Sequence, residues 1–381
     1  MKILLGGVPF GSGNIGDEAI LNCVVSIFRR NFPEALLAVA TMAPESAAQR
    51  YQLECLPAFG FDPKESMRKF RRELRRFDMF VWAGGTGLSD YPHIGAELLE
   101  NAQASGVKTV IWQVGMNREL NPDYFQLHGR KLKIAELLGL TRYWEKQLEN
   151  RMRERLQVCV SRCDLVVLRD QPSLIELHTS GEFPAALYGA DSVILQQPAP
   201  GRLLPDDKLN RRSVGICAAE KLNRRKQAEA ISFLQRLQTE LNVRLVFIPM
   251  TADDRAIMLP LYEATGGCGN VFCEFTEPEE VQNAVGSCAL LISGRLQLTI
   301  MALNAMVPGI GVANSSKIAN CLNMFGLPVF NNQSTINFDD LFDECARWLD
   351  DPDFRHRAAD VRKRMLARLE QCESYLRLLA V

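Results

Sequence analysis

The sequence predicts an α/β protein built from two Rossmann-like domains that face a cleft. Short apolar strands alternate with amphipathic helices along the chain, an order typical of mostly parallel sheets. The alternation stops at a polar, proline-containing segment, residues 196–212, and then restarts. A length of 381 residues also favours two domains over one. We therefore expect an N-terminal domain at residues 1–196 and a C-terminal domain at residues 212–381.

The first half begins with an apolar run followed by glycines and an amphipathic stretch, which predicts a strand at Lys2–Val8 and a helix at Asp17–Arg30. Further apolar runs of strand length are Ala35–Thr41, Met79–Trp82, Lys108–Val114 and Leu165–Leu168. In the second half, strands are predicted at Ser213–Cys217, Val243–Pro249, Val271–Phe275, Ala289–Ser293 and Gly309–Ala313. Helices are predicted at Arg225–Glu240, Asp253–Ala264, Glu279–Val285, Arg295–Asn304 and Ser316–Phe325, with one or two more in Asp353–Leu379.

Composition limits the possible partners. The formal net charge is -1, so there is no bulk attraction to nucleic acid. The chain has no apolar stretch of membrane-spanning length, and its first residues lack the features of a signal peptide. Eleven scattered cysteines without a Cys-x-x-Cys pair argue against a zinc site and for reduced thiols. We expect a cytoplasmic protein with no nucleic-acid partner and no metal.

One segment is strongly basic. Residues 67–77 interleave six lysines and arginines with apolar side chains. Such a helix docks on an anionic membrane surface in some proteins, which would make a peripheral membrane contact. The alternative, which we prefer, is a solvated helix whose apolar stripe packs on the sheet.

Two arginines occupy similar positions. Arg295 follows the predicted strand Ala289–Ser293 in the first turn of a predicted helix, where the helix dipole already places positive charge. Arg169 follows the strand Leu165–Leu168, and Asp170 is the predicted N-cap of the next helix. A cation in such a place is often offset by a bound anion. The pair therefore favours one dianionic ligand, and the alternative for Arg295 is a salt bridge to a nearby carboxylate.

The glycine-rich segment after the first strand contains Gly13, Asn14, Asp17 and Glu18. It fits the dinucleotide fingerprint formally, but no acidic residue ends the second strand, where Thr41 stands. Asp17 and Glu18 would also repel a pyrophosphate. Carboxylates at a helix start can instead bind the hydroxyls of a sugar, so we expect no cofactor. The alternative is a tight turn with a capped helix and no ligand.

A second glycine loop, residues 84–90, contains Gly85 and Thr86 and ends at Asp90. Glycines allow the backbone to approach a ligand closely, and an aspartate there can orient or deprotonate a hydroxyl. The alternative is that Asp90 only caps a turn. His93 follows shortly after, and as a lone histidine it fits a packing role as well as substrate contact.

Taken in order along the chain, these segments resemble the polysaccharide pyruvyl transferase family. Each motif is weak alone, but the ordered set spans nearly the whole chain. The matching residues are Gly13–Ile20, Gly84–Gly87, Arg169–Asp170 with Ser173, Gly189–Asp191, Ser293–Leu296 and Lys317.

The resemblance implies a fold like that of GT-B glycosyltransferases and a ketal-forming reaction that releases phosphate. The donor would be phosphoenolpyruvate or a similar anion, held on the C-terminal half by Arg169 and Arg295, and Lys317 would be a further substrate-binding residue. The acceptor would be a saccharide or lipid-linked saccharide on the N-terminal side, oriented by Asp90. Gln297 stands where the family usually has the histidine expected to protonate the donor. Glutamine can contact the donor carboxylate but has no proton to give near neutral pH.

Other functions stay open. A protonating group other than Gln297 would be needed, and Asp90 and His93 are the nearest candidates by motif. A nucleotide-sugar glycosyltransferase of the same architecture would need a ribose-binding carboxylate, for which Glu274 and Glu277 are available. A family member that binds a glycan or an anion with weakened catalysis is the third alternative.

Overall fold

The structure is a computed structural model that describes residues 1–266, 269–313, 315–330 and 335–380. Its internal contacts divide the chain into two units. The first unit contains Met1–Ser12, Val24–Asp191 and the chain from Arg368 onward, and the second contains Gly13–Cys23 and Ser192–Ala367. The predicted domains are each one continuous segment, whereas both units in the structure take chain from more than one segment.

Parallel strands form the sheet of the first unit, and they are almost entirely apolar because a parallel sheet is buried on both faces. The strands are β1 (Lys2–Gly6), β2 (Leu36–Thr41), β3 (Glu54–Pro57), β4 (Met79–Ala83), β5 (Lys108–Val114), β6 (Leu165–Leu168) and β7 (Leu187–Tyr188). Their order across the sheet is β3-β2-β1-β4-β5-β6-β7.

Helices alternate with these strands and bury large side chains against them. Phe70 and Leu74 from one helix share a buried cluster with Phe80 and Trp82 of β4. The helices are α1 (Ile15–Asn31), which begins in the second unit, α2 (Pro44–Tyr51), α3 (Met67–Leu74), α4 (Gly87–Asp90), α5 (Pro92–Ala104), α6 (Gly129–Leu137), α7 (Thr141–Ser161) and α8 (Gln171–His178).

The second unit repeats the architecture. Its strands are β8 (Arg212–Cys217), β9 (Val243–Phe247), β10 (Val271–Phe272), β11 (Leu290–Ser293), β12 (Gly309–Val312) and β13 (Val329–Phe330), all parallel in the order β10-β9-β8-β11-β12-β13. Its helices are α9 (Arg224–Glu240), α10 (Ala252–Thr265), α11 (Pro278–Gly286), α12 (Leu296–Asn304), α13 (Ser316–Asn323) and α14 (Phe338–Leu349). The last helix, α15 (Phe354–Arg377), begins here and ends in the first unit.

The predicted fold class is confirmed, since both units are doubly wound α/β structures. Strands β5 and β6 have the predicted bounds. The sequence reading missed β3, β7 and β13 because two of them have only two residues and β3 contains Glu54 and Pro57. The predicted cleft stays a prediction.

Residues 196–211, most of the predicted linker, are all described and contain no helix or strand. They nevertheless pack on α11. The backbone N–H of Ala199 donates to the carbonyl of Glu279 over 2.8 Å, and the Asn283 amide donates to the Ala199 carbonyl over 2.8 Å. This segment therefore belongs to the second unit.

In both sheets the strand order reverses, between β1 and β4 in the first unit and between β8 and β11 in the second. In open α/β sheets, ligands bind beyond the carboxyl ends of the strands at this switch point. The loop of residues 84–90 follows β4, and Arg295 follows β11. Each unit thus has one predicted motif at its switch point.

Candidate functional site

A group of polar side chains lies within the second unit around the start of α12. Its members come from four helix starts that follow strand ends or the glycine-rich turn. We call this group the α12 cluster, and it consists of Asn14, Asp17, Asp254, Arg295, Gln297 and Lys317.

Arg295 lies immediately before α12 as its N-cap residue, not in the first turn as predicted. Its guanidinium binds the Asp254 carboxylate through two nitrogens. Nη2 donates to Oδ1 over 2.6 Å, and Nε lies 3.1 and 3.0 Å from Oδ1 and Oδ2. The salt bridge considered as the alternative for Arg295 is therefore present.

The pairing still leaves Arg295 able to meet a ligand. Asp254 is fully buried, whereas a third of the Arg295 side chain is exposed. Asp254 also accepts the backbone N–H of Met250 over 3.1 Å, so its carboxylate is fixed. Nη1 of Arg295 makes no hydrogen bond to a described residue. A fixed, bidentate partner holds the guanidinium in one orientation and leaves one side of it for an anion.

Asp17 faces an environment that favours its neutral form. Burial raises the pKa of Asp17 to about 7, and the charge of Glu18 adds to this rise. A 3.0 Å hydrogen bond from the Asn14 amide and the charges of Lys317 and Arg295 oppose it. Asp17 therefore changes protonation state close to neutral pH.

Gln297 lies against the start of α1. A Cβ placed on Gly16 would lie 3.2 Å from the Gln297 Cβ, so a side chain at position 16 would crowd Gln297. The Gln297 side chain makes no hydrogen bond within the described part of the chain, and its amide is partly exposed. It is available to a ligand beside Asp17.

The start of α1 is held in the second unit by several hydrogen bonds. The backbone N–H of Ile15 donates to the Met250 carbonyl over 3.0 Å. The Asn22 amide donates to Gln196 and Glu279 over 3.1 and 3.0 Å. These contacts place the glycine-rich turn in the same unit as Arg295. The exposed Gly13 and the neighbouring Glu18 therefore also belong to that unit. No local sequence pattern indicates this placement.

Asp90 is the centre of a second polar group, in the first unit. The Thr86 hydroxyl donates to one carboxylate oxygen, and the Asn117 amide donates to the other over 3.0 Å. Gly85 has φ +74°, a left-handed conformation that favours glycine, and its carbonyl accepts the Gly115 N–H over 2.7 Å. We call Thr86, Ser89, Asp90, Asn117 and Asn121 the Asp90 cluster.

His93 also lies in the first unit, at the start of α5. Its ring packs on Tyr124 with centroids 4.2 Å apart. Burial and the charge of Arg155 lower the pKa of His93, against the opposing effect of Glu97. A histidine that is mostly neutral at pH 7 is a poor general acid, so this environment favours the packing alternative.

Arg169 is buried in the first unit and paired with carboxylates. Its Nε lies 3.3 Å from Asp170 and its Nη1 3.9 Å from Asp191. A Cβ on Gly115 would lie 2.3 Å from the guanidinium, so a side chain there would displace the guanidinium from this position. Asp170 caps α8 as predicted, accepting the Ser173 N–H over 2.7 Å. Because Arg295 belongs to the other unit, the shared-ligand hypothesis stays a prediction.

The sequence reading missed Asp254 and Asn117. Asp254 lies three residues after Thr251, the N-cap of α10, and Asn117 lies just beyond the end of β5. Both follow a strand's carboxyl end, and that position was the signal available. No group of three or more metal-binding side chains is arranged around a common point among the described residues.

An open cavity of about 770 Å³ lies in the first unit between α7 and residues 118–126. Four cations and four carboxylates line it, so their charges offset one another. It lacks the surplus of positive charge that would select an anionic donor.

The two doubly wound α/β units are typical of the GT-B fold class, and solved structures have the same fold. A putative UDP-N-acetylglucosamine 2-epimerase from Listeria monocytogenes has a TM-score of 0.61 at 11% identity, covering 97% of this chain and 96% of that one. The glycotransferase of kitacinnamycin has a TM-score of 0.61 at 13% identity, covering 99% and 98%. HepE from Anabaena in complex with UDP-glucose has a TM-score of 0.60 at 14% identity, covering 99% of each chain.

The sequence narrows this class. A family model described as polysaccharide pyruvyl transferase matches residues 14–316, and the chain belongs to that family. The matched range contains the whole Asp90 cluster and every member of the α12 cluster except Lys317. No curated protein matches the chain closely enough to add a relative.

Proposed function

We propose that this protein transfers the pyruvyl group of phosphoenolpyruvate to two hydroxyls of a saccharide, forming a ketal and releasing phosphate. The observation that carries the proposal is the α12 cluster. It combines an oriented arginine, a lysine, an amide with no hydrogen-bond partner among the described residues, and a carboxyl group that titrates near pH 7. Family membership supports the same reaction.

The donor has a carboxylate and a phosphate, and the cluster offers matching cations. Arg295 is fixed by Asp254 and presents Nη1, while Lys317 lies in the first turn of α13, where the helix dipole adds to its charge. The Gln297 amide can donate a hydrogen bond to the donor carboxylate. Fixed donors of this kind lower the reorganisation needed as the phosphate leaves.

The reaction needs one proton at the methylene carbon of the donor. That proton converts the methylene carbon, C3, into a methyl group and makes the phosphate-bearing carbon, C2, electrophilic. The oxygens of two sugar hydroxyls then form bonds to C2, and the bond from C2 to the phosphate oxygen breaks. One hydroxyl proton restores the acid and the other leaves on the phosphate. We assign the acid to Asp17, because it follows Gly16, which lies against Gln297, and because it is protonated in a large fraction near pH 7.

We assign the acceptor to the Asp90 cluster. Hydrogen bonds from Thr86 and Asn117 orient the Asp90 carboxylate. A carboxylate must be oriented in this way to align or deprotonate a sugar hydroxyl. Gly85 lets the backbone approach the sugar closely. The acceptor class is a saccharide or a lipid-linked saccharide. Gly13 and Glu18 are further candidate contacts with sugar hydroxyls.

The glycosyltransferase alternative has less support from the geometry. Glu274 forms a 2.5 Å ion pair with Arg255, and Glu277 forms a capping box with Glu280 at the start of α11. Both carboxylates thus have structural roles. The fold likeness to proteins bound to UDP-glucose keeps this alternative worth testing.

Ligand binding separates the alternatives first. We expect thermal stabilisation by phosphoenolpyruvate and none by UDP-glucose or NAD at the same concentration. A ligand at about 100 times its Kd stabilises by roughly 2.7 kcal/mol. Arg295→Ala should abolish the response, whereas Arg255→Ala, an exposed arginine in α10, should retain it. Stabilisation by UDP-glucose alone would favour the glycosyltransferase.

Turnover tests the role of Asp17. Single-turnover phosphate release with a diol-bearing saccharide should fall about 10²–10⁴-fold in Asp17→Asn, the usual scale of general acid catalysis. Gln297→His should change the parent little but restore most of the rate in the Asp17→Asn background. A parent that binds the donor without releasing phosphate would identify a non-catalytic family member.

A further inference from the structure

Helix α6 and the start of α7 expose several large apolar side chains within ten positions. Ile134, Leu137, Leu138 and Tyr143 are 50%, 85%, 57% and 59% exposed. Single exposed apolar residues are common on proteins, but a contiguous group marks an interaction site. We call residues 130–143 the α6 surface.

The exposed groups follow the helical period. Ala135 is buried and Leu132 is half-buried, so this side of α6 faces the rest of the unit. Arg130, Lys133, Ile134 and Leu137 have the spacing i, i+3, i+4, i+7, which places them together on the opposite face. The outward stripe is therefore half apolar and half cationic.

The α6 surface carries a strong local charge. Four cations stand against the single carboxylate Glu136, in a chain whose net charge is -1. None of the four forms an ion pair with any residue that the structure describes. The four are Arg130, Lys131, Lys133 and Arg142.

The basic helix α3 differs from the α6 surface in two ways: cations in and next to it form ion pairs, and its apolar side chains are buried. Lys69 pairs with Glu65 over 2.8 Å, and Arg76 pairs with Glu73 over 2.8 Å. Its apolar side chains Phe70 and Leu74 are buried in the core. The preferred interpretation of α3, a solvated face with an inward apolar stripe, fits these contacts, and α3 has no apolar stripe left for a membrane.

We propose that the α6 surface binds an anionic lipid bilayer, with the apolar side chains in the headgroup boundary and the cations on lipid phosphates. This combination of outward apolar and basic groups is typical of interfacial helices. A second copy of the chain is a poorer partner. A two-fold contact through this surface would bring its unpaired cations together.

The position of the surface has a consequence that rests on the proposed function. Residues 117–128 join the Asp90 cluster to α6, and Asn121 donates to the Asp90 carbonyl over 3.4 Å. Tyr124 of the same loop packs on His93. A bilayer at α6 would therefore favour an acceptor carried on a membrane lipid. Membrane binding itself does not depend on that reaction.

The test is flotation of the full chain with vesicles of phosphatidylcholine alone or with added phosphatidylglycerol. We expect binding to the anionic vesicles, weakened by salt. Arg130→Gln with Lys133→Gln should lower the partition coefficient about 30-fold, at the usual contribution of a basic residue near an anionic surface. Ile134→Ser with Leu137→Ser should lower it at least about tenfold.

The matched control uses the other basic helix. Arg72→Gln with Arg75→Gln removes the same charge from exposed positions of α3 and its C-cap and should bind like the parent. Equal loss in this control, or no binding of the parent, would overturn the proposal. So would light scattering that shows a dimer in the parent and a monomer in Ile134→Ser with Leu137→Ser.

Discussion

Replacing Asp17 by asparagine removes a carboxyl group whose pKa burial raises from 3.8 to about 7. The folded protein holds this proton more tightly than the unfolded chain does. The contribution to stability is therefore complete below about pH 4 and is lost as the pH rises through 7. Asp17→Asn has no such titration, so the variant should gain stability relative to the parent as the pH rises.

The magnitude follows from the two pKa values. At 1.36 kcal/mol per pKa unit their difference sets a ceiling of about 4 kcal/mol. Asp17 keeps some solvent exposure and lies near the cations Arg295 and Lys317, so we expect about 2 kcal/mol between pH 5 and pH 8. For a unit of this size, that corresponds to a difference in Tm of roughly 4–8 °C.

Thermal unfolding of parent and variant at pH 5 and pH 8 measures this difference. Asp253→Asn is the matched control, because Asp253 lies in the first turn of α10 but is exposed. Its difference from the parent should be the same at both pH values. If the Asp17→Asn difference is equally constant, Asp17 titrates in its ordinary range and the reasoning for its role as the acid is wrong.

Three further substitutions test the surroundings. Asp254→Asn should cost about 1–3 kcal/mol in urea unfolding and weaken stabilisation by phosphoenolpyruvate, because Arg295 loses its fixed partner. Glu18→Gln should shift the pH midpoint of phosphate release downward, because removing a like charge lowers the pKa of Asp17. Arg169→Lys keeps a charge beside Asp170; a lost thermal response to phosphoenolpyruvate would support the predicted donor contact, and a retained response would limit Arg169 to its buried pair.

The sequence predicted those parts of the fold that depend on local pattern. Lys108–Val114 is an uninterrupted buried strand apart from its first residue, and the structure reproduces its bounds. The strand Val329–Phe330 could not be found, because two residues carry no periodicity and owe their conformation to pairing with β12. Local pattern thus gave the architecture, and tertiary pairing determined the short edge strands.

The candidate site was predictable only in part. Strand-end position identified Arg295 and Asp90, since parallel sheets bring those ends together. The partner of Arg295, Asp254, is 41 residues away in sequence, and no local pattern relates the two. The placement of Asp17 beside Gln297 depends on hydrogen bonds from the start of α1 to residues of the second unit. Long-range contacts of this kind are not encoded in spacing.

These contacts change how the glutamine at position 297 is understood. Judged from the motif alone, Gln297 removes the proton donor and leaves an anion-binding protein. In the structure, Gln297 lies against Gly16. The residue after Gly16 is Asp17, whose carboxyl group has a pKa of about 7. An aspartate can hold that pKa only where burial and a neighbouring negative charge outweigh the nearby cations. Because Arg295 and Lys317 would be partly neutralised by a bound dianion, donor binding should raise the pKa of Asp17 further and place its proton beside the donor when it is needed.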